Sequence, residues 1–378
     1  MSGEQQMTQM STQLRPRASR DLFGLQADDV ERLGAELDNL HRVLAHSLGT
    51  RDATYIRRVI AAQRALDVIA RITIGMTRTR VGWLLGTAGL ALAKIIENME
   101  IGHNVMHGQW DWMNDPEIHS TTWEWDMVSV SQHWRHSHNY LHHVNTNIAG
   151  VDDDLGFGVM HVTTDRPWRP LDFAQPARAA LLAVLFEWGI ALQGYYAARD
   201  SAPTPELRAE AKRKLLSKIR NQCTKDYLWY PLLSTTRWRR TLTANATANV
   251  LRNIWAYIVI MCGHIPSDAA RFTASAARSE TRGEWYARQM AGSSDFRAGP
   301  ILGFLTGHLS HQIEHHLFPT LPSRRLDEAK KAIEQICNNH SVPLPTSSFL
   351  HQVVDSHRPV IALARPPRST FFKGRDHE

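Results

Sequence analysis

Twenty histidines stand among 378 residues, and they are not evenly spread. Eight fall between His103 and His143, and four more between His308 and His316. Three clusters emerge: His103-Asn-Val-Met-His107, His138-Asn-Tyr-Leu-His142-His143 and His311-Gln-Ile-Glu-His315-His316. On a helix, positions i and i+4 share a face, about 40° apart, so both imidazoles of an HxxxH pair reach a common point. A lone HxxxH is usually structural. At this histidine content an HxxxHH string is expected about 0.06 times per chain, and here it occurs twice. Chance and solvated or core histidines are therefore set aside in favour of metal ligation. Adjacent histidines point about 100° apart on a helix, so His142 and His143, like His315 and His316, suit two ions, one each. The pattern predicts a dinuclear site lined mostly by imidazole, a donor that suits zinc, copper, iron or nickel.

Other metal chemistries lack their signatures. There is no HExxH string and no pair of ExxH motifs of the kind that builds soluble carboxylate di-iron bundles. The three cysteines, Cys223, Cys262 and Cys337, form no CxxC pair, which argues against a disulfide framework or a cysteine-rich zinc site. The net charge is +6 and the pI about 9.3. That balance suits an anionic membrane face or anionic substrate. No basic run carries the interleaved aromatics of an RNA-binding module, so no nucleic-acid partner is expected. Asn104, Asn139, Glu314 and Asp126 lie near the clusters and are candidates to orient the rings. His119, His133, His136 and His161 read as loop histidines, and Asp152, Asp153 and Asp154 as a polar loop or helix cap.

The elements that must position these residues read as helices. Residues 1–20 are polar, without an apolar signal-like core, and are expected to be a disordered tail. Val30, Leu33, Leu37, Leu40 and Leu44 recur at helical spacing, and Ile56 to Ile74 continues the pattern with arginines that make it too polar for a lipid-facing span. Val81 to Met99 has about the length of a bilayer-crossing helix, and 179–197 and Ala244 to His264 are further candidates. The basic stretch 199–225 is placed on the cytoplasmic side. A mean hydropathy of −0.34, with no charge-free run of twenty residues, limits this to two to four imperfect spans beneath a large cap. The expected fold is all-α: an integral-membrane helical bundle with a cytosolic helical cap carrying the histidine boxes. Its expected divisions are the tail (1–20), a helical segment (21–80), a catalytic domain (81–325), and a C-terminal helix with a polar tail (326–378).

At the strings GHNVMHGQWDW, WRHSHNYLHHVNTN and GHLSHQIEHHLFP the sequence resembles the integral-membrane fatty-acid desaturase family, and within it bacterial acyl-CoA desaturases related to the linoleoyl-CoA and front-end type. The likeness runs from about residue 80 to 325. It implies two iron ions held on the cytosolic face of a multi-pass cell-membrane enzyme. It implies O2 as co-substrate and a fatty acyl-CoA or acyl-lipid substrate. NAD(P)H electrons would arrive through a separate ferredoxin- or flavin-type reductase, since no HPGG haem motif marks a fused electron carrier. The implied ligands are His103, His107, His138, His142, His143, His311, His315 and His316, with His264 in MCGHIP as a further one between the second and third boxes. Third boxes of the family read HxxHH or QxxHH. Counting back from His315 gives Gln312, so either His311 or Gln312 fills that place, with His311 preferred. His308 stands where a Gly or Asn is expected. The implied reaction introduces a cis double bond. The rival readings are a hydroxylase on the same scaffold, a metal-storage protein and a zinc hydrolase.

Overall fold

The structure is a computed structural model, described for residues 22–164, 166–275 and 280–366. The expected tail at 1–20 lies outside those residues. Two helices open the chain, α1 (Ala27–His46) and α2 (Thr50–Met76). Helix α3 (Arg80–Ile96) continues as a π-helical turn, Glu97–His103, that carries the first histidine box. The second box lies on α4 (Ser131–Arg135) and the π-helical His136–His142 that extends it. Next come α5 (Gln175–Val184), α6 (Phe186–Asp200), α7 (Pro205–Thr224) and α8 (Trp238–His264). Helix α9 (Arg282–Gly292), strand β1 (Asp295–Arg297) and helix α10 (Pro300–Leu305) precede the third box on α11 (Gln312–Leu317). The chain closes with α12 (Leu326–Asn339), strand β2 (Thr346–Ser348) and α13 (Phe349–Ala362).

The fold is predominantly helical, as expected, with one addition: β1 and β2 form a short parallel ladder, Asp295 opposite Thr346. Helix α13 is a second departure. Residues 349–362 fall in the stretch expected to be a polar tail, yet Gln352, Asp355 and Ser356 are buried against α8 and its neighbours. Its N-terminus is capped by Ser348, whose hydroxyl accepts from the His351 amide. The apolar run 179–197 is not one helix. It breaks at Leu185, and the two halves meet at 96°. No single helix among the described residues is long and apolar enough to cross a membrane; that bent pair meets the requirement only when taken together.

Two layers meet at the histidines. In one, α2 and α3 form a hairpin against α8. The α2–α3 turn is tied to the start of α8: the Trp83 indole donates to the Arg240 carbonyl (3.0 Å) and the Arg237 guanidinium to that of Gly75 (3.0 Å). In the other, α1 packs on α9 and α12 around Leu33, Leu37, Tyr286, Ile313 and Ile333. Gly34 and Gly283 permit that crossing, because a Cβ on Gly34 would sit 2.8 Å from the Gly283 Cα.

Between the bundle helices lies a buried ionic knot. Lys94 on α3 reaches Asp126 (3.0 Å) and Asp226 (3.1 Å), and Arg252 on α8 reaches Glu187 on α6 (2.9 Å). Asn249 donates to Asp226 (3.1 Å). Asp126 is thus committed to Lys94 rather than to a histidine. Removing one partner of such a pair strands a buried charge. Lys94→Met is expected to destabilise the protein by about 3–5 kcal/mol, measured by thermal or denaturant unfolding. Leu84→Ala, at an exposed position, is expected to change stability by less than about 0.5 kcal/mol.

Candidate metal centre

Each box places its histidines by a different local device. The π-turn before His107 widens the helix at Glu97–His103. Such turns are rare and recur at functional sites. His103 and His107 then face one another, with Nε2 atoms 3.3 Å apart. The second box is itself π-helical, and its three histidines fan out. His138 lies beside His103 and His107, with ring centroids 5.6 and 5.1 Å away. His142 points to His264, Nε2 to Nε2 at 3.2 Å. His143 stacks on His316 at 4.1 Å and meets His107 edge-on at 4.6 Å. The third box ends in His315, near His107 (4.6 Å), and His316, near His264 (4.5 Å).

Nitrogen atoms therefore converge in two adjoining groups. One is His103, His107, His138 and His315; the other is His142, His264 and His316; His143 bridges the two. His142 and His143 do diverge as helical geometry requires, and so do His315 and His316, whose rings are nearly perpendicular. His264 closes α8 and sits within the second group, although in the sequence it is an isolated histidine ending an apolar run.

His311 does not join them. The single residue of offset turns it outward, beside Glu314 and Asp295, while Gln312 turns inward. The Gln312 Nε2 is 2.8 Å from the His264 Nε2. Gly263 makes room for this contact, since a Cβ there would lie 2.7 Å from the Gln312 side chain. The preference for His311 is thus reversed in favour of Gln312. His308 also stays outside. It adopts a left-handed backbone conformation (φ 59°), with its Nε2 4.0 Å from the Glu100 carboxylate.

The ring orientations are fixed from behind, mainly by residues that the sequence did not single out. The His142 Nδ1–H donates to Asp152 (2.9 Å) and the His138 Nδ1–H to Asp154 (2.9 Å). Each carboxylate thereby selects the tautomer whose Nε2 lone pair faces the site. His316 Nδ1 contacts Thr146 Oγ1 (3.1 Å) and Gln289 Oε1 (3.0 Å). Asn147 ties the second box to α8, donating to the His264 carbonyl (3.1 Å). Of the four candidates named for ring orientation, Asn104 alone reaches a ring, that of His103 (3.2 Å). Asn139 donates to the Met106 carbonyl (2.9 Å), and Glu314 lies against Lys330 (3.7 Å). His133 and His161 are buried away from the groups, and the half-buried His119 and His136 bond to Thr121 and Ser201. The acidic run at 152–154 is a loop, as expected, but two of its members support ligating rings. Its signal was the short interval after the second box. Gln289 carried none, because only the tertiary fold brings α9 to the third box.

Electrostatics favour ligation. Burial holds the imidazoles of His138, His143, His315 and His316 well below their usual pKa, so they are neutral, with lone pairs available. His142 is the exception: burial opposes its charge, but Asp152 and Asp154 outweigh burial and raise that ring to about 9, so it is protonated at neutral pH and ligation there requires a metal to displace the Nε2 proton. Both nitrogens of His143 and of His315, and Nε2 of His316, are buried without a hydrogen-bond partner. Unpartnered buried nitrogens are costly unless something accepts their lone pairs, and an all-imidazole set fits transition-metal ions such as iron.

A buried, helix-borne double cluster of imidazoles defines a histidine-box metal centre, and the comparisons name its family. Residues 81–348 match the fatty acid desaturase family. The chain is 47% identical to an NADPH-dependent stearoyl-CoA 9-desaturase of Mycobacterium tuberculosis, over 92% of this chain and 83% of that one. It is 24% identical to an sn-1 linoleoyl-lipid 6-desaturase of Synechocystis, over 68% of this chain and 74% of that one. It is 26% identical to human fatty acid desaturase 3, over 28% of this chain and 22% of that one. The protein belongs to the fatty acid desaturase family and is an oxidoreductase of the bacterial acyl-CoA desaturase kind. The likeness to a 9-desaturase is much the stronger, so the comparisons do not support the narrower front-end subtype.

Loss of a group that orients a ligand typically costs about 10–100-fold in metal affinity. Asp152→Asn is expected to lower iron retention by that order, measured as iron per chain after dialysis against a chelator. Gln312→Ala is expected to lower retention and His311→Ala to leave it unchanged. The reverse result would return His311 to the site.

Proposed function

We propose that the protein is a di-iron, O2-dependent acyl-CoA desaturase that introduces a cis double bond into a long saturated chain, with stearoyl-CoA as substrate and carbon 9 as the position of attack. The observation that carries the reading is the pair of imidazole groups with unpartnered buried nitrogens. His103, His107, His138, His143 and His315 would hold one iron, and His142, His264 and His316 the other, with Gln312 beside it. When bound, the irons would supply reductive activation of O2 for cleavage of unactivated C–H bonds. The balance is a saturated –CH2–CH2– unit, O2, two electrons and two protons giving –CH=CH– and two waters. Substrate and position are suggested by the name of the mycobacterial relative. Its NADPH dependence supports electrons from NAD(P)H, delivered through a separate ferredoxin- or flavin-type reductase.

The chain's own residues would bind and aim the substrate. A narrow slot of about 30 Å³ adjoins His103 and His138 and is walled by Trp125, Met127, Trp134, Phe157, Phe186 and Ile190. Its apolar lining suits methylenes. An acyl chain would enter by parting those side chains, and water would be excluded as it did so. Positioning on the scale of about 1 Å then sets which carbon is attacked.

A membrane location, with the site facing the cytoplasm, is part of the proposal. The tip formed by the α2–α3 turn and the start of α8 exposes Ile72, Met76, Leu84, Leu85, Leu233 and Trp238. Helices α3 and α8 begin at that tip and end at His103 and His264. With about 1.5 Å of rise per residue, tip and site are some 35 Å apart, comparable to a bilayer core. Arg78, Arg80, Arg237, Arg239 and Arg240 crown the tip and can reach the far headgroup layer.

The test is gas chromatography–mass spectrometry of fatty acids from cells that express the chain with a ferredoxin-type reductase, beside a His315→Ala control. A new cis-9 monoene, two mass units below its parent and absent from the control, is expected. A product heavier by one oxygen would make the enzyme a hydroxylase. Iron-free protein with no oxygen uptake would end the di-iron reading.

A further inference from the structure

A groove of about 720 Å³ runs along α2 on the face away from the slot, bordered by the end of α3, by α10 and by Arg324. Its two ends differ in chemistry. At one end stand Arg51, Arg58 and Arg324. At the other the walls are Ala62, Leu66, Ile96 and Phe304. No carboxylate lines it. Arg324 is engaged, donating to the Arg51 carbonyl (2.8 Å). The Arg51 and Arg58 guanidiniums have no ion-pair partner among the described residues, and both are exposed. Seven residues apart, they lie on the same helical face, about 10 Å from one another.

The groove also has direction. From Arg51 to Leu66 the helix rises about 22 Å, the length of a long extended acyl chain. Immediately beyond Leu66 the exposed surface of α2 turns apolar at Val68, Ile69 and Ile72, towards the tip already described. A basic end, an apolar channel and an apolar outer surface follow in sequence along one helix. The volume is that of a small-molecule site.

We propose that this groove binds one anionic glycerophospholipid of the surrounding membrane, its phosphate on Arg51 and Arg58 and one acyl tail along Ala62 and Leu66. Guanidinium groups recognise phosphate oxygens through paired N–H donors; the neighbouring carboxylate, Asp52, lies against Arg324 (3.6 Å) and Arg325 (3.8 Å), which leaves Arg51 and Arg58 available. The proposal rests on the membrane location given above. It concerns a structural or regulatory lipid, not the substrate, because the groove is separated from His103 and His138 by the body of α3.

The experiment uses the full chain in nanodiscs of phosphatidylcholine with a minor fraction of phosphatidylglycerol, followed by native mass spectrometry of retained lipid. One phosphatidylglycerol per chain is expected. The double variant Arg51→Glu/Arg58→Glu should retain about tenfold less or lower. Ala62→Phe, which fills the apolar end without altering charge, should do the same. Unchanged thermal unfolding would show that both variants are folded. Equal retention by wild type and charge-reversed protein, or equal retention of phosphatidylcholine, would overturn the proposal, as would displacement of the lipid by stearoyl-CoA. Alkaline extraction of membranes from expressing cells separates the two readings. Wild-type protein that leaves the membrane would defeat the location, whereas charge-independent lipid retention by membrane-resident protein would defeat the groove alone.

Discussion

Eight imidazoles, each with a neighbouring ring centroid within about 5 Å and all but His138 buried, are the constraint that the rest of this structure serves. A buried nitrogen without a partner costs on the order of 1–3 kcal/mol, and several stand here together. Such packing suits a metal centre and little else. Its surroundings must therefore be rigid and must present each ring by the correct nitrogen. Asp152, Asp154, Thr146 and Gln289 do this through hydrogen bonds to the outer nitrogens. The π-helical turns at the first two boxes do it through the backbone, bringing to one side residues that an ideal α-helix would spread more evenly.

Much of the centre was legible in the sequence because its logic is local. HxxxH and HxxxHH state a helical face and a divergence of neighbours, and both survive in three dimensions. What was not legible is tertiary. The choice between His311 and Gln312 turns on one residue of offset, and only the approach of Gly263 on α8 decides it. Gln289 looks like any polar residue in an amphipathic helix until α9 meets α11. Asp126 sits close in sequence to the boxes, yet Lys94 claims it. The C-terminal segment misled for a different reason. Its prolines and polar residues suggest a tail, but Ser348 caps a helix whose polar side chains are buried. Gln352, for instance, donates to the Cys262 carbonyl (3.0 Å), two residues before His264.

The proposed membrane location has to be weighed against composition. The helices that approach bilayer length, α2, α3 and α8, carry charges of two kinds. Arg57, Arg58, Arg64 and Arg239 are exposed and Arg240 is half-buried, near helix ends or on α2, whereas Arg71, Lys94 and Arg252 face inward. Lys94 and Arg252 are almost wholly buried and are neutralised by Asp126, Asp226 and Glu187 from neighbouring segments. Hydropathy averages a helix over all its faces, whereas lipid meets only the outer one. Paired charges on the inner face subtract from the average without touching that surface. Such pairs contribute little net stability, but they oppose any sliding of α3 against α8, because a shift of one turn would strand a charge.

That register matters because the two helices end in His103 and His264. Their first turns are locked at the tip by Trp83 and Arg237, their middles by the ionic knot, and their last turns by the histidines themselves. Trp134 extends the same rigidity to the slot. Its ring stacks on His138 at 4.4 Å and meets His103 and His107 edge-on at 5.5 and 5.4 Å, while its other side forms slot wall. Moving Trp134 would move three ligating rings. Phe157 and Phe186, also in the slot lining, pack edge-to-face with one another at 5.7 Å, and Phe186 packs edge-to-face with Tyr257 at 5.9 Å within the buried core. The slot thus has one side tied to the histidines and another built from apolar core residues. On the proposed function, an acyl chain in that slot would lie against Phe157 and Phe186 on one side and Trp134 on the other, with Trp134 stacked on His138.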